Sequence, residues 1–147
     1  MFVVPKREVH YMKIDGSCHC GAVKFEADAD PKKVALCNCT DCQKLSGSAF
    51  RVNVFVDESD LRFLSGKGKP VEYVKTGESG DKRVQAFCPD CGTGLYATSP
   101  GEGHRVYGLR VTTIRQCDQL VPQSQGWLRS RLKWLSDLDK IPGTQKQ

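Results

Sequence analysis

Three thiols fall within six residues in Cys37-Asn-Cys-Thr-Asp-Cys42, and no other stretch restricts the possible fold as tightly. Two more close groups flank it, Cys18-His-Cys20 upstream and Cys88-Pro-Asp-Cys91 downstream. Seven of the eight cysteines are therefore clustered, and only Cys117 stands apart. Sulfurs grouped in this way mark thiolate ligation of a soft or borderline metal, zinc above all. A structural zinc takes four protein ligands in a tetrahedron, whereas a catalytic zinc keeps three and leaves one position open. The seven clustered thiols divide on that rule as four plus three. The two pairs, Cys18, Cys20, Cys88 and Cys91, can close one site across the fold. The triplet, Cys37, Cys39 and Cys42, then lacks a fourth ligand, to be supplied by water, a substrate atom or a donor elsewhere in the chain. Two alternatives stand beside that reading: a second closed site completed by Cys117 or a histidine, and thiol redox chemistry by Cys39 and Cys42. His19, between two ligand positions, is expected to point away from the metal, and His10 and His104 have no partner spacing.

The totals narrow the class. A length of 147 residues suits one domain with a real core. The cysteine density is below that of a small disulfide scaffold. No leader pattern opens the chain, and no apolar run approaches the ~20 residues a membrane span needs. The expectation is a soluble protein of a reducing compartment, the cytoplasm, with no membrane partner, where clustered cysteines bind metal rather than bridge. The formal charge of +5, from 22 basic and 17 acidic side chains, points weakly to nucleic acid. Zinc carries about −2 with four thiolates and about −1 with three, which brings the total near neutral and weakens that pointer further.

Along the chain, residues 1–11 read as an N-terminal extension, 12–142 as the metal-binding domain and 143–147 as a polar tail. Gly21–Ala27 alternates, with Val23, Phe25 and Ala27 on one face, which predicts a half-buried strand. Val34–Leu36, Phe50–Val56, Val71–Val74, Arg83–Phe87, Leu95–Ala97 and Arg105–Val111 predict further short strands, with Gly66, Gly68, Pro70, Gly77 and Gly80 at the turns. Thr40–Ser46 predicts one helical turn capped by Thr40 and stopped by Gly47. Near the C-terminus Trp127–Leu135 has brief helical periodicity, so Trp127, Leu128, Leu132, Trp134 and Leu135 are expected to pack on the sheet. Arg129, Arg131 and Lys133 on that segment form either a basic ridge for nucleic acid or a solvated face. The class is mainly β, built from many short antiparallel strands.

An open three-thiolate site suits a thiol substrate. Bound zinc holds its ligands as thiolates at neutral pH and would deprotonate an arriving thiol in the same way. A thiol so held remains a nucleophile that can be aimed at an electrophile.

Gly16-Ser-Cys-His-Cys-Gly21, Cys37-Asn-Cys-Thr-Asp-Cys-Gln-Lys-Leu-Ser-Gly-Ser-Ala-Phe50 and Phe87-Cys-Pro-Asp-Cys-Gly-Thr93 together resemble the glutathione-dependent formaldehyde-activating enzyme family, which also includes centromere protein V. The resemblance runs from about Met12 to Trp134 and matches all seven clustered cysteines. It implies a zinc-stapled, tent-like β fold similar to methionine sulfoxide reductase B and the Rab-binding zinc chaperones. It also implies a structural zinc at Cys18, Cys20, Cys88 and Cys91, and a labile catalytic zinc at Cys37, Cys39 and Cys42. The implied activity joins glutathione to formaldehyde as S-hydroxymethylglutathione, a carbon–sulfur lyase run in reverse. Glutathione's carboxylates need cationic or N–H partners, for which Lys44, Arg51 and Arg110 are candidates, although such side chains are mostly solvated surface charges. Where related chains often run Gly-Thr-Leu-Asp, this one reads Gly108-Leu-Arg-Val111 and lacks the acid. The alternative from a different class is a non-enzymatic zinc-stabilised module that binds nucleic acid or protein.

Overall fold

Period-two alternation along Lys24–Ala29 buries Phe25, Ala27 and Ala29 and exposes Lys24 and Glu26. The structure, a computed structural model, describes residues 9–64 and 68–147. The expected turn at Gly66, and most of the expected 1–11 extension, lie outside the described residues. The elements in order are β1 (Met12–Ser17), β2 (Lys24–Ala29), β3 (Val34–Cys37), α1 (Thr40–Ser46), β4 (Arg51–Asp57), β5 (Leu61–Phe63), β6 (Val71–Thr76), β7 (Lys82–Phe87), β8 (Gly94–Thr98), β9 (Val106–Arg110) and β10 (Ser124–Gly126). Short 3-10 turns fill much of the rest, and no helix among the described residues is long and apolar enough to cross a membrane.

The strands form two sheets. A three-stranded sheet runs β1-β2-β5, and a seven-stranded sheet runs β10-β3-β4-β9-β8-β7-β6. All neighbours are antiparallel except β10, which lies parallel to β3. Cross-strand register carries one buried row through five strands of the large sheet: Val34, Val54, Leu109, Tyr96 and Ala86. That row belongs to a core shared with Ile14, Phe25 and Ala27 of the small sheet. Aromatic contacts join the sheets as well, from Phe25 to Phe63 at 6.2 Å, Phe63 to Tyr96 at 5.6 Å and Tyr96 to Tyr107 at 5.0 Å.

A one-residue offset reverses the facing of every side chain in a strand. The alternate positions of the large sheet accordingly carry a different set, with Cys37 opposite Arg51, Asn53 opposite Arg110, and Gln85 opposite both Tyr73 and Ala97. The hydrophobic row supports the fold, and the polar row supports the site.

Three expectations need correction. The strand expected from Gly21 begins at Lys24, because residues 20–23 turn back so that the Cys18 amide can donate to the Val23 carbonyl. α1 is capped by Cys39 rather than Thr40, since the Cys39 sulfur accepts from the Cys42 amide at 3.3 Å. The C-terminal segment is not one helix. Trp127 adopts a left-handed φ of 55°, and separate 3-10 turns follow at Leu128–Ser130 and Lys133–Lys140. Of the apolar side chains there, Leu135 is buried, whereas Trp127 is 44% exposed and Trp134 49%, so the expected aromatic packing on the sheet is absent from these two.

Gly16 shows how closely β1 meets the small-sheet core. A Cβ there would lie 2.3 Å from the Phe25 ring and 2.7 Å from the Thr113 carbonyl oxygen. Gly16→Ala is expected to destabilise the fold by roughly 1–3 kcal/mol through overpacking, a Tm loss on the order of 3–10 °C, measurable by thermal melting. An unchanged Tm would show that β1 is free to shift.

Candidate metal centres and the arginine recess

Each half of the four-cysteine group is a tight turn closed by a glycine. After Cys18 and Cys20 the chain turns through Gly21, whose φ is 81° and whose amide donates to the Cys18 carbonyl at 3.1 Å. After Cys88 and Cys91 it turns through Gly92, with φ 76° and its amide donating to the Cys88 carbonyl at 2.9 Å. A side chain with a Cβ is disfavoured at such angles, which accounts for Cys-Gly in both places. The turns are joined through Thr93, whose hydroxyl accepts from the His19 amide at 3.0 Å and lies 3.2 Å from the Cys91 sulfur. His19 thus contributes its backbone, and its side chain is exposed.

The sulfurs converge. Cys18 and Cys20 lie 3.6 Å apart, Cys20 and Cys88 3.8 Å, and all four sulfurs are mutually within 4.8 Å. A tetrahedron with Zn–S arms of about 2.3 Å has edges of ~3.8 Å, so the donor set fits zinc. The Val23 amide donates to the Cys18 sulfur at 3.2 Å, a contact that favours thiolate. The hydrogen bond with the Thr93 hydroxyl, aided by backbone amides, brings the Cys91 thiol down to about 5.

The second group is Cys37 at the end of β3, Cys39 at the cap of α1 and Cys42 in its first turn. Their sulfurs also lie within 4.8 Å of one another, and each residue is half-buried. Among the described residues neither Cys117 nor a histidine joins the group, so the closed-site alternative lacks its fourth donor. Burial pushes the Cys42 thiol up to about 12, against the opposing charge of Arg51. Burial also works against ionising Cys39, yet the Cys42 amide, the other two thiols and the Lys75 ammonium together hold it below the usual thiol range.

Two residues that sequence reasoning did not single out brace this loop. Asn38 is fully buried, and its side-chain amide donates to Gly126 O at 3.0 Å and Gln125 Oε1 at 3.3 Å. Gln43 donates to Asn38 O at 2.9 Å and to Ser130 O at 3.0 Å. The sequence signal was their place within the cysteine motif, one between ligands and one directly after the last.

The cationic candidates separate. Lys44 is exposed on α1. Arg51 and Arg110 are only 8% exposed each, which overturns the expectation of solvated surface charges. Arg51 Nη1 and Arg110 Nη2 both donate to Gln85 Oε1 at 2.7 Å, and Arg110 Nη1 donates to Asn53 Oδ1 at 2.7 Å. Burial, then the like charge of Arg51, brings the Arg110 guanidinium down to about 9, still protonated at neutral pH. The two line a recess of about 640 Å³ together with Gln85, Tyr73, Phe50 and Leu45. The supposed basic ridge is partly neutralised, since Arg129 pairs with Glu78 at 3.1 Å and stacks 4.8 Å from the Trp127 ring.

Fold and site together define a mainly β protein with two cysteine clusters of metal-binding geometry, one beside a buried cationic recess. The family model described as glutathione-dependent formaldehyde-activating enzyme matches residues 13–130, and the chain belongs to that family. A protein of Halomonas elongata, provisionally named a glutathione-dependent formaldehyde-activating enzyme, is 26% identical over 91 residues, which cover 60% of this chain and 58% of that protein. A crystal structure of a Rhodobacter sphaeroides protein superposes with a TM-score of 0.57 at 22% identity, covering 76% of this chain and 98% of the other, and supports the fold.

Protons and metal compete for the same sulfurs, so acid drives metal off. Zinc added to the metal-free protein is expected to be lost from the three-sulfur group at a higher pH than from the four-sulfur group. Each group contains one thiol held near 12, Cys42 in the first and Cys20 in the second, so the order rests on the number of sulfurs: three hold the ion less tightly than four. Zinc release followed with a chromogenic chelator along a falling pH ramp should show two steps; a single step would contradict the ordering.

Proposed function

We propose that Cys18, Cys20, Cys88 and Cys91 hold a structural zinc, and that Cys37, Cys39 and Cys42 hold a second, labile zinc where a small thiol such as glutathione is prepared for addition to formaldehyde. The reaction is that of a carbon–sulfur lyase written in reverse. The observation that carries this reading is the unequal division of sulfurs, four converging in one group and three in the other. Bound zinc would supply the charge that keeps the incoming thiol ionised at neutral pH. The thiol gives up its proton, its sulfur lone pair forms the C–S bond, and the carbonyl π pair moves to oxygen, which takes up a proton. The product is the S-hydroxymethyl adduct, and nothing is oxidised or reduced.

Thiol addition to so reactive an aldehyde is easy in water, so the chain's contribution is positioning. Asn38 and Gln43 fix the loop that carries the three sulfurs. Arg51 supplies a cation on the same face as Cys37, and Lys44 is a further candidate, exposed on α1. The match to the family supports the reaction type. The chain's correspondence with the Halomonas protein covers 58% of that protein's length, so the activity is inferred here from site chemistry as well as from relationship. The same reading extends to the fold and its setting: a domain over 12–142, flanked by an 1–11 extension and a 143–147 tail, with the zinc-stapled tent of methionine sulfoxide reductase B and the Rab-binding zinc chaperones, in the reducing cytoplasm where thiolates stay free.

Metal analysis and thiol ligation test this directly. The protein should bind two zinc ions, one per cysteine group, and Cys39→Ser should retain one while keeping a native circular dichroism spectrum. Glutathione added to cobalt-loaded protein should change the sulfur-to-cobalt charge-transfer band, and exchange of carbon-13 formaldehyde with glutathione should accelerate at least about tenfold, a barrier change of ~1.4 kcal/mol. Retention of both metals by Cys39→Ser, or a cobalt spectrum indifferent to glutathione, would remove the open position and the proposal with it.

A further inference from the structure

We propose that β6 is the seam of a homodimer, in which two copies of this chain pair their β6 strands antiparallel and continue one sheet across a two-fold axis. The edges of the two sheets are finished differently. β5 and β10 are three residues long. β1 is covered, since Gly16 bridges Ile114 and the Arg115 amide donates to the Asp15 carbonyl at 2.8 Å. β6 is six residues long, pairs with β7 in unbroken register from Val71 to Thr76, and has no strand on its other side among the described residues. Its Val71, Tyr73 and Val74 are 43%, 54% and 47% exposed. Natural sheets shield such an edge with free charge, an internal proline or a bulge. Here both charged side chains of the strand are already engaged. Glu72 accepts from the Tyr96 hydroxyl at 3.1 Å, and Lys75 pairs with Asp41 of α1.

The backbone fixes which groups this edge presents. At the β6–β7 turn the Gly77 amide donates to the Asp81 carbonyl at 2.7 Å, so Gly77 faces β7. Strand backbones alternate, so the N–H and C=O groups of Val71, Tyr73 and Lys75 also face β7, and those of Glu72, Val74 and Thr76 face outward. Antiparallel pairing about a two-fold axis at Val74 sets Val74 opposite its own copy and Glu72 opposite Thr76 of the other copy. Every outward N–H and C=O of the strand then has a partner. Centring on Tyr73 instead would set Thr76 opposite Pro70, which has no N–H to give. The side chains suit the same register. On the face that carries buried Val84, Val74 meets Val74 and the Glu72 carboxylate meets the Thr76 hydroxyl. On the opposite face the Tyr73 ring meets the Lys75 side chain, whose charge Asp41 balances. No two like charges stand directly opposite. This self-matching is what an isologous interface requires, and it singles out a second copy over a foreign strand. An axis normal to the sheet keeps the polar faces of both copies on one side, the side of Cys37 and Arg51.

Sedimentation velocity on the zinc-loaded full chain, with a non-thiol reductant present, tests the association. The mass should double as the concentration rises from about 1 μM to about 1 mM. Amide hydrogen exchange followed by NMR over the same range tests the seam. Exchange at Glu72, Val74 and Thr76 should slow by roughly tenfold or more in the concentrated sample, while the amides of Val71, Tyr73 and Lys75, already bonded to β7, change by less than about threefold. Thr76→Pro removes one outward donor and leaves the β7 ladder intact, and Val74→Lys opposes two ammonium groups at the axis. Each should weaken the dimer by about tenfold or more, with zinc content and circular dichroism unchanged. A chain that stays monomeric throughout would overturn the proposal. So would a dimer that leaves exchange at Glu72, Val74 and Thr76 independent of concentration, because it would use another surface. The wild-type exchange pattern decides the matter even if a variant fails to fold.

Discussion

Sulfur convergence is the constraint on which the rest of the structure depends. Cys20 and Cys88 are 68 residues apart in sequence and 3.8 Å apart at their sulfurs. The first belongs to the turn between β1 and β2, the second to the turn between β7 and β8, so their meeting fastens the three-stranded sheet to the seven-stranded one. A chain of this size with short strands has a modest core, and a metal bound there would offset loop-closure entropy that such a core otherwise has to overcome.

The two cysteine groups serve opposite ends with similar chemistry. Around the four-sulfur group the chain supplies neutral partners: the Val23 amide, the Thr93 hydroxyl and tight glycine turns. Around the three-sulfur group it supplies cations, Arg51 and Arg110 from the sheet and Lys75 near Cys39. An ion held by four sulfurs would need only orientation from its surroundings. Positive charge beside the three-sulfur group would favour an anion there, and long-range attraction of that kind acts on capture as well as on hold.

Much of this was legible in the residues. Cysteine spacing alone separated the two groups, and alternation located β2, β4, β7 and β9 to within a few residues. The strands that escaped are β1, β5 and β10; the last two are three residues each, and Ser-Gln-Gly in β10 carries no hydrophobic signal because it is held by backbone pairing with β3. The Cys39 cap was hidden because a ligand sulfur took a role usually given to hydroxyls and carboxylates. Burial of Arg51 and Arg110 was hidden for a different reason. Their partners, Gln85 and Asn53, lie on other strands, and only the assembled register brings the four side chains to one face. At the C-terminus the helical periodicity was real in the letters but was overridden by the left-handed Trp127.

The parallel strand β10 also sets an order of assembly. The Asn38 and Gln43 side-chain amides that brace Cys37, Cys39 and Cys42 bind Gly126 O and Ser130 O, 88 and 87 residues further along the chain. On a ribosome the three thiols therefore emerge well before the carbonyls that hold their loop. All four thiols of the other group have emerged once Cys91 appears, ahead of those carbonyls. Of the two cysteine loops, the one that bears the triplet is accordingly the later to take its shape.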